Sequence, residues 1–66
     1  MRTHLKNARI VCHKTQMDIA KEVKISLKSY QRIEKGVQDP SVSIAILIAK
    51  ALNSTVEELF FEEKAI

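Results

Sequence analysis

The sequence predicts a small all-α domain built from five short helices. Apolar residues recur three and four positions apart along most of the chain, which is the spacing of one helix face, and no segment is predicted to form a strand. A serine or threonine precedes each of these segments, where its side chain can cap the start of a helix. The 66 residues are sufficient for one domain with a small hydrophobic core.

The expected helix boundaries follow from the capping residues. The predicted helices span residues 4–12, 16–23, 27–35, 42–52 and 56–61, within one domain over residues 1–66 whose C-terminal tail is 61–66. The predicted amino-terminal caps are Thr3, Thr15, Ser26, Ser41 and Thr55. Asp18 follows Thr15 by three residues and is expected to complete a capping box. Gly36 and Asn53 are expected to end the third and fourth helices, because both tolerate a left-handed backbone.

The segment from residue 16 to residue 35 has the pattern of two helices joined by a tight turn. The fifth, ninth, fifteenth and eighteenth places of this segment are Ala20, Lys24, Tyr30 and Ile33. A helix-turn-helix carries at these places a small residue, the turn residue and two apolar anchors of the second helix. Once the two anchors face inward, the helical period turns one set of side chains outward. This set is Leu27, Lys28, Gln31, Arg32 and Lys35, a mostly cationic face that suits a groove of DNA.

Positive charge is concentrated in the first forty residues. The formal net charge is +3, but residues 1–40 contain nine Lys or Arg against four Asp or Glu, whereas residues 41–66 contain two against four. The segment with the candidate DNA-facing helix is therefore basic, as expected for a domain that binds nucleic acid.

The composition also argues against several other classes of protein. The most apolar run, residues 42–52, contains Lys50 and is shorter than the ~20 residues that a membrane span needs. The single cysteine, Cys12, cannot form an internal disulfide, so we expect a reducing cytoplasm. His4, Cys12 and His13 lack a fourth ligand and a recognised metal-binding spacing. We therefore expect no metal, no cofactor, no small-molecule ligand and no enzymatic activity.

Several landmarks in order resemble one known family. They are Arg9, Thr15-Gln16, Ile19-Ala20, Ser26, residues 33–36 (IEKG), Pro40 and residues 51–60 (ALNSTVEELF). Over roughly 55 residues the chain resembles the Xre-like, or lambdoid repressor/Cro-type, helix-turn-helix domain. The resemblance implies a five-helix DNA-binding domain, usually dimeric, that regulates transcription at a pseudo-palindromic operator. The departures are Lys24 for the usual turn glycine, Lys14 at a usually apolar place and Asn53 for glycine; the two lysines are expected to add positive charge towards DNA.

The resemblance also assigns candidate site residues. Those expected to contact bases are Leu27, Lys28, Gln31 and Arg32. Those expected to contact phosphates are Thr15, Gln16, Lys24, Lys35, Val37 and Gln38. Arg32 can bond guanine O6 and N7, and Leu27 can pack on a thymine methyl. Arg9 and Glu34 match a pair that ties the first helix to the end of the third.

The fourth helix carries more apolar residues than one core needs. Those expected to face the core are Val42, Ala45, Ile48, Ala49 and Leu52. Ile44 and Leu47 form a second apolar stripe beside Ala51, and Phe61 is expected to extend it into a homodimer interface. The alternative is that Phe61 and Ile66 fold back over this stripe within one chain.

Two other functions compete with operator binding. The basic helix face could bind an acidic protein, as in an antitoxin or another regulatory partner, although the few residues after Phe60 disfavour a toxin-binding extension. A nonspecific nucleic-acid binder would show no preference for any duplex.

Overall fold

Five α-helices surround one core in the computed structural model, which describes residues 1–61. They are α1 (Thr3–Val11), α2 (Gln16–Val23), α3 (Leu27–Lys35), α4 (Val42–Ala51) and α5 (Val56–Phe60). Each predicted boundary is correct to within one residue. Expectations for residues 62–66, including the folding back of Ile66, lie outside the described residues. None of the five helices is long and apolar enough to cross a membrane.

Side-chain caps start four of the five helices. The hydroxyls of Thr15, Ser26, Ser41 and Thr55 each accept the N–H three residues further on. Asp18 bonds the Thr15 N–H in return, which completes the predicted capping box. The predicted Thr3 cap is wrong: Thr3 is the first helical residue, and Arg2 occupies the cap position without a side-chain capping bond to α1.

The core lies where α2 packs on α3 and α4, and where α1 packs on α5. The largest fully buried side chains are Tyr30, Leu5, Ile19, Ile33, Ile48, Leu59 and Val23. Ala20 is buried in α2, and its small side chain suits the close contact of that helix with its neighbours.

Val42 was expected in the core, and that expectation is wrong because its side chain is 77% exposed. Val42 lies on the same helix face as Ala45, but it is the first residue of α4. There it lines an open groove together with Pro40 and Phe61. Ala45, Ile48, Ala49 and Leu52 are buried as predicted.

The first four helices end in the same way. A residue with positive φ follows each helix: His13 (58°), Lys24 (61°), Gly36 (86°) and Asn53 (55°). In each case the next N–H bonds the carbonyl five residues back, as in the Ile25-to-Ala20 bond of 3.0 Å. This Schellman arrangement satisfies carbonyls that a helix end leaves free. Lys24, Gly36 and Asn53 were predicted to hold such positions, whereas His13 was not.

Replacing Lys24 by glycine is expected to stabilise the fold. Lys24 has φ 61° and an exposed side chain, so glycine would remove backbone strain without removing packing. We expect a gain of up to about 1 kcal/mol in the free energy of unfolding, measured by urea denaturation. Gly36→Ala is the matched control and should lose stability, because alanine would acquire the same strain at φ 86°. Destabilisation by Lys24→Gly would contradict this account of the turn.

Candidate nucleic-acid interface

Helix α3 is held so that one face is buried and the opposite face is open to solvent. Tyr30 and Ile33 are buried, as the motif requires. The exposed side chains are Lys28, Gln31, Arg32 and Lys35, while Leu27 at the start of the helix is half-buried. The helix therefore presents three cations and one amide on one surface.

No acidic side chain in residues 1–61 pairs with the cations of this surface. The ion pairs of that part of the chain are Arg2–Asp39, Arg9–Glu34 and Lys14–Glu22. Within residues 1–61, Lys28, Arg32 and Lys35 thus form no ion pair, and their charges favour an anionic ligand.

A shallow depression collects half of the predicted contact residues. It is lined by Met1, Gln16, Lys28, Gln31, Arg32, Glu34 and Lys35. The fold therefore brings the start of α2 beside the exposed face of α3. The other predicted contact residues, which lie outside this depression, are Thr15, Lys24, Leu27, Val37 and Gln38.

The amino end of α2 borders the depression and carries free N–H groups. The first N–H groups of a helix have no partner within it, so those of Gln16 and Met17 are not used by the helix itself. The backbone N–H of Thr15 bonds Asp18, which lowers the pKa of that carboxyl below its ordinary value. An ionised Asp18 keeps the capping box closed and fixes this helix start.

Glu34 joins α1, α2 and α3 through one buried carboxylate, which is only 3% exposed. Arg9 donates from Nε at 2.8 Å and from Nη2 at 3.2 Å, so the predicted pair is present as a bidentate bond. Tyr30 Oη donates at 2.9 Å and Gln16 Nε2 at 3.0 Å. Four hydrogen bonds thus saturate the carboxylate.

These bonds also decide the ionisation of the cluster. Burial alone would raise the pKa of Glu34, but the hydrogen bonds from Arg9, Tyr30 and Gln16 outweigh burial and lower it. The hydrogen bond to Glu34 raises the pKa of Arg9. Burial, and then the hydrogen bond to Glu34, raise the pKa of the Tyr30 hydroxyl. At neutral pH the cluster therefore consists of a carboxylate, a guanidinium and a neutral phenol.

Gln16 enters this network instead of extending freely into solvent. Its Nε2 bonds Glu34 and its Oε1 accepts a bond of 3.3 Å from Gln31 Nε2. An amide nitrogen carries two protons, so one N–H of Gln16 remains for a phosphate.

Arg2 holds the loop after α3, a role that the sequence did not reveal. Its Nη1 donates to Ile33 O at 2.7 Å and to Gln38 O at 3.1 Å, and its guanidinium lies 5.4 Å from the centre of the Phe60 ring. It thereby fixes the loop after α3, in which Val37 is exposed. Its partners are mainly backbone carbonyls distant in sequence, and no motif signals such bonds.

Lys14 does not extend the cationic face, contrary to the expectation for it. Its ammonium pairs with Glu22 at 2.9 Å and donates to Ala51 O at 2.9 Å. The lysine therefore ties the loop before α2 to the carboxyl end of α4, where a cation is favourable. Lys24 remains exposed, and no ion pair in residues 1–61 includes it.

The four residues expected at a dimer interface fall into two groups. Ile44 and Ala51 are half-buried and pack against the core of the same chain. Leu47 is 44% exposed and Phe61 is 69% exposed. Two further apolar side chains, Val42 and Ile46, are exposed on α4.

Comparisons with known proteins agree with this geometry. The family described as Helix-turn-helix matches residues 5–59. The chain belongs to the helix-turn-helix family. An uncharacterised HTH-type transcriptional regulator of Methanocaldococcus jannaschii is 38% identical over 63 residues, which is 96% of each chain. One from Archaeoglobus fulgidus is 35% identical over 65 residues, 97% of this chain and 92% of the relative.

A phage protein is also similar to this helix-turn-helix domain. The cryptic phage CTXphi transcriptional repressor RstR of Vibrio cholerae is 37% identical over 59 residues, 89% of this chain and 53% of RstR. The family and these relatives make the chain a DNA-binding regulator and not an enzyme.

Replacing Glu34 by glutamine should lower the free energy of unfolding and make it depend less on pH in the acidic range. A lowered pKa in the folded state means that the stabilisation by Glu34 is complete above its unfolded pKa of about 4.3. That stabilisation is lost as the pH falls through the lower folded pKa. At pH 7 the variant should lose about 3 kcal/mol, because Arg9 loses its buried counter-charge.

The measurement is the free energy of unfolding between pH 7 and pH 2. Asp18→Asn is the control, because that carboxyl also has a lowered pKa but is exposed and outside the Glu34 cluster. It should leave most of the acid dependence in place. If wild type and Glu34→Gln lost stability in parallel with acid, the cluster would not be the source of that dependence.

Proposed function

We propose that the protein represses transcription by binding a pseudo-palindromic operator as a homodimer, with α3 of each subunit in the major groove. The observation that carries the proposal is the exposed face of α3. Its three cations have no acidic partner in residues 1–61, and they lie beside the free amino end of α2. Repression is proposed because the similar protein RstR is a transcriptional repressor.

Phosphate contacts would fix the position of the domain on the duplex. The backbone at Gln16 and the remaining side-chain N–H of Gln16 point to one phosphate, with the Thr15 hydroxyl beside it. Lys24 and Lys35 supply exposed ammonium groups. In the loop after α3, which Arg2 fixes through Gln38 O, the Val37 N–H already bonds Arg32 O, so the Gln38 N–H is the backbone donor proposed for a second phosphate beside Val37.

Base contacts would come from the remaining side chains of the same face. Arg32 is exposed, and its planar guanidinium matches the O6 and N7 acceptors of guanine. Lys28 can reach the same acceptors. Leu27 stands at the start of α3, half-buried, and offers an apolar contact for a thymine methyl. Gln31 completes the set.

The proposed dimer forms through the exposed apolar side chains of α4 and the residue after α5. Val42, Ile46, Leu47 and Phe61 are all more than two-fifths exposed. Val42 and Phe61 border one groove, so part of this surface is continuous. Small proteins rarely expose such surface without a partner. Two-fold pairing would place the two α3 helices about 34 Å apart, one turn of DNA. Ile44 and Ala51 would support this surface from the core side.

Arg32→Ala and Lys35→Ala should weaken binding in different ways. Loss of a bidentate base contact should cost about 1–3 kcal/mol and relax preference at one base pair in each half-site. Loss of a phosphate contact should weaken all duplexes alike and reduce the slope of log affinity against log salt by about 0.9 per contact. Fluorescence anisotropy with selected and random duplexes over a range of salt separates the two effects. Equal losses on both duplexes for Arg32→Ala would contradict base recognition by Arg32.

The double variant Leu47→Glu with Phe61→Glu should be a folded monomer that binds the operator weakly. Both side chains are largely exposed, so charge there should disrupt association and leave the core intact. Val11→Glu is the control, because Val11 is 75% exposed on α1 and does not line the groove that Val42 and Phe61 border. Sedimentation gives the subunit number and circular dichroism gives the helix content. An intact dimer in the double variant would rule out this interface.

A further inference from the structure

Two amide side chains form a chain of hydrogen bonds that begins at the buried carboxylate. Glu34 Oε1 accepts from Gln16 Nε2 at 3.0 Å. Gln16 Oε1 in turn accepts from Gln31 Nε2 at 3.3 Å. Gln16 is half-buried, whereas Gln31 is exposed and lines the depression beside the exposed face of α3. This series of hydrogen bonds therefore runs from the interior to the surface that would meet DNA.

The carboxylate fixes the direction of both amides. Glu34 is ionised, and an ionised carboxylate only accepts hydrogen bonds. Gln16 must therefore turn its nitrogen inward, which leaves its oxygen towards Gln31. That oxygen also only accepts, so Gln31 must turn its own nitrogen to Gln16. Flipping either amide would bring two acceptors or two donors together.

The polar groups of Gln31 that remain free are thus determined. They are the oxygen Oε1 and the second N–H of Nε2. Adenine presents an amino donor at N6 beside an acceptor at N7 in the major groove, which matches this pair. Guanine presents two acceptors, O6 and N7, and thymine presents the acceptor O4, so each can accept from the free N–H of Gln31 but offers no donor to its outward oxygen.

We propose that Glu34, acting through Gln16, orients the amide of Gln31 so that Gln31 recognises adenine in each half-site. This inference rests on the proposed function, because it names the base read by one residue of the same DNA-binding face. Gln16 is then a positioning residue for base recognition as well as a phosphate contact. A phosphate contact alone would give Gln16 no influence on sequence preference.

In vitro selection of duplexes from a random library tests the proposal with four variants beside wild type. Gln31→Met removes the amide, and Gln16→Met removes the link to Glu34 while leaving the Arg9 and Tyr30 bonds to that carboxylate. Gln31→Glu presents only acceptors. Asn7→Leu is the control, because it removes an exposed amide on α1 outside the network.

We expect Gln31→Met and Gln16→Met to lose adenine preference at the same base pair, by about 5-fold to 150-fold in relative affinity. Gln31→Glu should favour cytosine at that pair, because a carboxylate accepts from N4. Asn7→Leu should select the wild-type consensus.

A consensus that Gln16→Met leaves unchanged would overturn the proposal, and so would a G·C pair in the wild-type consensus at the position that Gln31→Met relaxes. Gln31 is exposed, so Gln31→Glu should fold, and it leaves Gln16 in place. It therefore tests base recognition by residue 31 even if Gln16→Met does not fold. A wild-type profile without any preference would instead remove the proposed function itself.

Discussion

The buried carboxylate of Glu34 is the constraint on which the arrangement of this domain depends. An isolated charge in the interior costs several kcal/mol, which is comparable with the whole stability of a small domain. The charge is tolerated because Arg9 binds it twice and Tyr30 and Gln16 bind it once each. Since these partners come from α1, α3 and α2, the ionised group can be satisfied only when the three helices hold their observed positions.

The same constraint links stability to function. Gln16 stands at the amino end of α2, where the proposed phosphate contact is made, and Glu34 stands near the end of α3, whose exposed face carries the proposed base contacts. The hydrogen bond between Gln16 and Glu34 fixes the amino end of α2 against α3. Preorganisation of this kind lowers the entropy that binding must overcome. Arg2 acts similarly on the loop after α3, by bonds to Ile33 and Gln38.

Local chemistry explains why much of the fold could be predicted from sequence. Thr15, Ser26, Ser41 and Thr55 cap helices through atoms only three residues away, and the left-handed places of Lys24, Gly36 and Asn53 follow from where each helix must end. Contacts between residues distant in sequence were harder to predict. The bonds of Arg2 to backbone carbonyls carry no sequence signal. Lys14 pairs with Glu22 instead of extending the cationic face. Val42 lies outside the core although its spacing places it on the core-facing side of α4.

The most direct test of the DNA-facing surface is a nuclear magnetic resonance titration of 15N-labelled protein with a short duplex. The amide signals at the start of α2, in α3 and in the loop after α3 should shift as DNA is added, with those of Gln16, Gln31 and Val37 among the largest changes. The signals of α1 around Val11 should change little. Shifts confined to α1, α4 and α5, with α3 unaffected, would contradict the assignment of α3 to DNA.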